Sequence, residues 1–185
     1  MALDQITLKR IATLHPKVRK QALEMYTYAN EKLLGKGVRL RFAYTTRSFE
    51  EQEELYAQGR TKLFDNKGKR LGKVTNAKAG QSIHNFSLAF DIVLLLDKNN
   101  DGVFESASWD TKADNDKNGK SDWMEVTNYF KSQGWKWGGD FKSIVDPPHF
   151  EYTFGHTWKT LQDKIKNKQY TTEVIDSVTY KYVNL

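Results

Sequence analysis

The sequence predicts an α+β fold, with helices packed on a small, mainly antiparallel sheet. Three observations predict it. Residues 17–34 carry apolar side chains at helical spacing, 38–44 and 88–96 carry strand patterns, and no internal repeat is present. At 185 residues the chain is long enough for one ordinary domain and a short appendage. Aromatic residues make up 13% of it, with only 3 Pro and 12 Gly, which excludes collagen-like and disordered classes. The longest apolar stretch, Ile92 to Leu96, is far below the roughly 20 residues of a membrane span.

In KVRKQALEMYTYANEKLL (17–34), Val18, Ala22, Met25, Ala29 and Leu33 recur on one helical face, and Gly35 is the stop. VRLRFAY (38–44) alternates as a half-buried strand does. Ser48 followed by Glu50 and Glu51 marks a helix start, with its end near Gln58 and Gly59. LAFDIVLLL (88–96) has the composition of a buried central strand. Asp122 is placed to cap a helix running through Gln133, HFEYTF (149–154) reads as a strand, and 157–167 as a short helix before a β-rich end. The expected division is a domain over 1–154 and a C-terminal extension over 155–185, too short to fold alone.

Net charge is +6, unevenly spread. Residues 60–78 hold seven Lys/Arg against one Asp and read as a loop or hairpin; 97–125 hold eight Asp/Glu against four Lys. A basic surface suits polyanions such as nucleic acid, anionic lipid or an anionic cell wall, and equally serves as a solvated face. With no Cys, disulfides, thiolate metal sites and cysteine nucleophiles are excluded. Metal ligands must come from Asp, Glu, backbone oxygen and the four His. The N-terminal segment lacks the apolar core of a secretory signal, so synthesis in the cytoplasm with another exit route is the expectation.

Two His lie in unusual settings. His84 precedes the apolar strand that carries Asp91 seven residues later, and a carboxylate in such a run needs compensation. A metal ion compensates it; backbone amides or an Arg would do so too. In Asp146-Pro147-Pro148-His149, a polyproline II path of three residues per turn would project Asp146 and His149 from one side. Two His and one Asp match the ligand set of catalytic zinc, with an open position for water and a free carboxylate to move protons. Arg47 could stabilise an oxyanion or make an ordinary surface salt bridge. His15 and His156 match no pattern.

These motifs resemble the peptidase M15 family, which comprises D-Ala-D-Ala carboxypeptidases and, more closely here, L-alanyl-D-glutamate endopeptidases of phage endolysin type. Ser82, His84, Ala89 and Asp91 match its Ser-x-His-x-x-Gly-x-Ala-x-Asp pattern, and Asp146 and His149 its later acid-x-x-His. Arg47, Ser48, Gln52, Leu55, Tyr56, Gly59 and Arg60 match the upstream segment, and Gly134 to Asp140, with Trp137, the segment before the last His. The resemblance covers about 38–154 and implies the hedgehog/D-Ala-D-Ala peptidase-like fold. It implies zinc held by His84, Asp91 and His149, Asp146 as general base, Arg47 assisting the transition state, and Ser82, Gln52 and Trp137 around substrate. Ser87 stands where the family has Gly, so strain is expected there if φ is positive.

A second metal signal is the calcium-loop pattern of Asp114, Asp116, Asn118, Gly119, Lys120 (through its carbonyl), Asp122 and Glu125. A solvated acidic turn has the same composition. Asp97-x-Asn99-x-Asp101-Gly102 begins alike and has Ser108 at the twelfth position.

The expected function is a zinc peptidase cutting the stem peptide of bacterial peptidoglycan, first at L-Ala-D-Glu, with D-Ala-D-Ala carboxypeptidase as the near alternative. It would act as a monomer, without nucleic acid or membrane insertion, reaching the wall after holin-type release from a phage-infected cell. A non-catalytic wall-binding module with structural zinc is the competing class, its basic loop and Tyr170, Tyr180 and Tyr182 doing the binding. A nucleic-acid binder is third.

Overall fold

The computed structural model describes residues 3–142 and 144–185. Its elements, in chain order, are α1 (Gln5–Ala12), α2 (Pro16–Tyr28), β1 (Val38–Tyr44), α3 (Phe49–Ala57), β2 (Ala89–Leu96), β3 (Ser106–Ser108), α4 (Asp122–Ser132), β4 (Lys136–Trp137), β5 (His149–Glu151), α5 (Trp158–Lys166), β6 (Tyr170–Ile175) and β7 (Val178–Val183). The chain divides into two compact units. One comprises the residues up to Thr45 with Ala89–Tyr152, the other Thr46–Leu88 with Thr153–Leu185. The fold class is the expected α+β. No helix among the described residues is long and apolar enough to cross a membrane.

In the first unit, strands run in the order β1-β2-β5-β4, with β3 also on β2, and each pairing is antiparallel. β2 is the central strand the composition indicated. Phe90 lies at its heart, stacked on Phe42 of β1 at 4.0 Å and on Phe150 of β5 at 5.7 Å. Phe130 of α4 closes edge-on over Phe90, Phe150 and Phe42. Because side chains alternate across a strand, Phe90 and Ile92 enter this core while Asp91 leaves on the other face.

The helical pattern of 17–34 is present, but its last turn, Ala29–Leu33, widens into a π turn. Buried Asn30 explains the benefit: its Oδ1 accepts from Leu40 N at 2.9 Å and its amide donates to Tyr26 O at 3.0 Å, tying helix to β1. α1 is an element that periodicity alone did not indicate. Asp4 caps it, accepting from Thr7 N, and grips Arg41 of β1 through two bonds of 2.8 and 2.9 Å. Burial raises the Asp4 pKa, but Arg41 and Thr7 outweigh it and hold the carboxyl below its ordinary value.

Two expected boundaries shift. The α4 cap is Ser121, whose hydroxyl accepts from Met124 N at 3.2 Å, so Asp122 is the first helical residue and not the cap. β5 stops at Glu151, short of the predicted 154, and positive φ at Phe154 (52°) and Gly155 (81°) turns the chain soon after.

In the second unit, α3 begins with the expected capping box, Ser48 and Glu51 bonding each other's backbone amides. The basic stretch forms no named strand; isolated bridges join Gln58 to Lys62 and Phe64 to Arg70. β6 and β7 form a hairpin whose turn residues Asp176 and Ser177 have φ of 48° and 65°, the left-handed pair that suits a two-residue hairpin turn. Leu161, Tyr182 and Val183 of this tail are buried.

Candidate metal centre

The antiparallel register of β2 and β5 sets Asp91 directly opposite His149. Asp91 Oδ1 lies 3.3 Å from His149 Nδ1. Two residues on along β5, Glu151 emerges on the same face, its Oε2 3.2 Å from His149 Nε2. His149 is 7% exposed, so the ring is clamped between two carboxylates in a nearly dry setting. Burial alone would push its pKa down; hydrogen bonds and charge from Asp91 and Glu151 reverse this and raise it to about 9.

This pair passes a geometric test for a metal. Two donors bound to one tetrahedral zinc at about 2.0–2.2 Å are separated by about 3.3–3.6 Å. The 3.3 Å between Asp91 Oδ1 and His149 Nδ1 lies at the short end of that range. Metal would take the place of the proton the imidazole otherwise holds between two anions.

Asp146 and His149 are joined by a reverse turn: His149 N–H donates to Asp146 C=O at 3.1 Å. A polyproline II path makes no such internal bond, so that expectation is corrected. Proline's preset φ makes Pro147 suited to the turn, and the carbonyl of Pro147 accepts from the Trp137 indole at 2.7 Å. Asp146 N–H in turn donates to Gly138 C=O at 3.0 Å. Trp137 is therefore a brace for the turn. Gly138 packs against it so closely that a Cβ would lie 2.3 Å from Asp146 O and 2.9 Å from His149 Cβ. Asp146 is exposed.

The second unit places the other candidate residues. Ile83–Phe86 forms a single 3-10 turn, and His84 within it is 3% exposed. His84 C=O accepts from Arg47 N at 3.1 Å, while Asn85 Nδ2 donates to Arg47 O and Ser48 O, both at 3.0 Å. Arg47 Nη1 donates to Gln52 Oε1 at 2.9 Å. Gln52 is fully buried and anchored through its amide to Ala77 O at 2.7 Å, so Arg47 is held by a fixed partner. Ser82 caps the turn from outside, its C=O accepting from Asn85 N at 3.0 Å. Ser87 ends it with φ 60° and ψ 27°, the left-handed conformation in which Ser is strained and Gly is not.

Along 114–125, the Asp114 carboxylate accepts from Asn118 N and Gly119 N, and Asn118 Oδ1 from Lys120 N. Asp114, Asp116 and Asp122 each offer an oxygen within 4.8 Å of the others. Asp122 is fully buried, and while its Oδ2 accepts from Asn115, its Oδ1 has no partner. Burial raises its pKa. Glu125 Oε2 is bonded by Asn118 Nδ2 at 2.8 Å, beside the cluster. The segment 97–102 makes the same turn bonds, Asp97 accepting from Asp101 N and Gly102 N, but none of its side-chain oxygens is buried and unpaired.

Glu151 is the functional candidate that motif reading passed over. Its signal was present, as a His-x-Glu pair at strand spacing puts both side chains on one face.

An antiparallel sheet with a carboxylate–imidazole pair on its central strands, beside an exposed carboxylate held by a turn, offers what a metallopeptidase needs: metal ligands and a group to move protons. The comparisons agree. A family described as D-alanyl-D-alanine carboxypeptidase, of the peptidase M15 group, matches residues 75–152. The peptidoglycan L-alanyl-D-glutamate endopeptidase CwlK of Bacillus subtilis (strain 168) is 43% identical over 138 residues, 75% of this chain and 72% of that protein. The L-Ala D-Glu endopeptidase ChiX of Serratia marcescens has a similar fold, with a TM-score of 0.51 at 18% identity over 83% of this chain and 91% of that one. The chain belongs to the peptidase M15 family.

Proposed function

We propose that this chain is a zinc-dependent endopeptidase that hydrolyses the L-Ala-D-Glu bond of the peptidoglycan stem peptide. The observation that carries the reading is the Asp91–His149 pair, set at ligand spacing by strand register. The 43% identity to CwlK supports the choice of bond. His84, Asp91 and His149 are the residues that would hold the ion, a His/His/carboxylate set known for catalytic zinc.

A bound zinc ion would polarise the scissile carbonyl and bring the pKa of a water toward about 7. Asp146, exposed on its turn, accepts the proton of the attacking water and delivers it to the leaving amine. Gly138 and Trp137 hold that turn in register with His149. Arg47, oriented by buried Gln52, supplies positive charge to the developing oxyanion.

The test is digestion of purified peptidoglycan by the zinc-loaded protein, its chelated form and Asp146→Ala, with released termini identified by mass spectrometry. New D-Glu N-termini that vanish in both controls are expected. Loss of terminal D-Ala would instead favour the carboxypeptidase reading, which the family description supports. No new termini from any wall type would leave a binding module.

We also propose that calcium occupies the Asp114–Glu125 loop. The support is the buried, unpaired Oδ1 of Asp122 beside Asp114 and Asp116, an anionic oxygen that a hard cation would satisfy. Calcium titration of Asp122→Asn against the parent tests it, and equal binding would overturn it.

A further inference from the structure

Glu151 is a charged side chain, 15% exposed, on a strand whose neighbour Phe150 is fully buried. Among the described residues its carboxylate has one hydrogen-bonding partner, the Nε2 of His149 at 3.2 Å. Removing a carboxylate from water for a single contact is costly. An apolar residue would fill so well covered a strand position more cheaply.

The two ring nitrogens have distinct surroundings. Nδ1 faces Asp91, across the strand pair, and Asp91 belongs to the group able to hold a metal. Nε2 faces Glu151, which lies outside that group. One nitrogen cannot both bind a cation and donate a hydrogen bond. The nitrogen beside the co-ligand must therefore coordinate, and the other must carry the proton.

We propose that Glu151 is the positioning residue of the metal centre: its Oε2 accepts the Nε2–H of His149, which fixes the ring's tautomer and directs Nδ1 at the ion. This rests on the reading that His149 and Asp91 bind zinc. The strand supplies the precision. His149 and Glu151 are two residues apart, so the pleat presents both side chains on one face without any loop to adjust. Outer partners of this kind orient a ligating His and raise its basicity, and their loss lowers metal affinity by about 10- to 100-fold.

The experiment measures zinc affinity by competition with a chromophoric chelator, on the full chain freed of metal, for the parent, Glu151→Ala and Glu151→Gln. Secondary structure is checked by circular dichroism for each. Glu151→Ala is expected to bind about 10- to 100-fold more weakly. Glu151→Gln, whose amide oxygen still accepts from Nε2–H, is expected to recover most of that loss. In parallel, ¹⁵N NMR of the zinc-loaded parent is expected to show His149 protonated at Nε2, a readout that needs no variant to fold.

Equal affinity for Glu151→Ala and the parent would overturn the proposal, as would protonation at Nδ1. A Gln variant as weak as the Ala variant would mean that the charge itself is needed, making Glu151 a ligand, and would also overturn it. A parent that binds no zinc at all would sink the metal reading and this inference together, and is distinguished by the parent measurement alone.

Discussion

Replacing Gly138 by Ala inserts one methyl group into the contact between β4's end and the turn that bears Asp146 and His149. The new Cβ would stand 2.3 Å from Asp146 O and 2.9 Å from His149 Cβ. Side-chain carbons do not approach backbone oxygen closer than about 3.0 Å, so the turn must retreat by about 0.7 Å from its 2.3 Å contact. The obstacle is backbone, which cannot swing aside as a flexible side chain does. Overpacking of this kind costs about 1–3 kcal/mol, and a displacement near 1 Å at reacting groups costs about 100-fold in rate. The expected outcome is a protein that still folds, with kcat/KM on peptidoglycan reduced by about 30- to 100-fold. Gly72→Ala is the control, since a Cβ there meets nothing within 4 Å. Initial rates on purified wall, with urea unfolding of both variants, decide the matter. A Gly138→Ala enzyme within twofold of the parent would refute the claim that this glycine sets the turn.

Two further outcomes concern stability. Asp4→Asn keeps the helix cap but loses the charge on Arg41, and should cost about 1–3 kcal/mol at pH 7. Because the folded pKa of Asp4 lies below its unfolded value, its contribution is present above about pH 4 and fades as pH falls through the folded pKa. The parent–variant difference in urea midpoint should therefore shrink at pH 3, and a difference independent of pH would contradict the assignment. Ser87→Gly removes left-handed strain of about 1–2 kcal/mol against a smaller gain in unfolded-chain entropy. A net stabilisation of about 0.5–1 kcal/mol should raise Tm by about 1–4 °C, and a lower Tm would show that the Ser87 side chain contributes more than its strain costs.

Local physics made much of this protein legible from sequence. Amphipathic spacing marks α2, the Ser48–Glu51 box marks α3, and the apolar run marks β2, because each depends on neighbours within about four residues. The ligand candidates were legible for a related reason, since a His and an Asp flanking a buried strand are chemically conspicuous in one dimension. The composition alone could not say whether Asp91 was met by a metal, an Arg or backbone amides.

Tertiary structure decided what depends on residues far apart in the chain. Asp91 and His149 are 58 residues apart, and only the antiparallel register of β2 and β5 makes them opposite neighbours. The same register brings Glu151 to the outer nitrogen of that ring. The Asp146–His149 turn is set by Gly138 and Trp137 and not by the intrinsic path of two prolines. α1 is held through Asp4 by Arg41, 37 residues away, which no local pattern encodes. Which chemistry-bearing groups exist, and which elements carry them, can be read along the chain. Their pairing waited on the fold, because register and turn closure are fixed by the summed packing of the phenylalanine core and not by the residues that react.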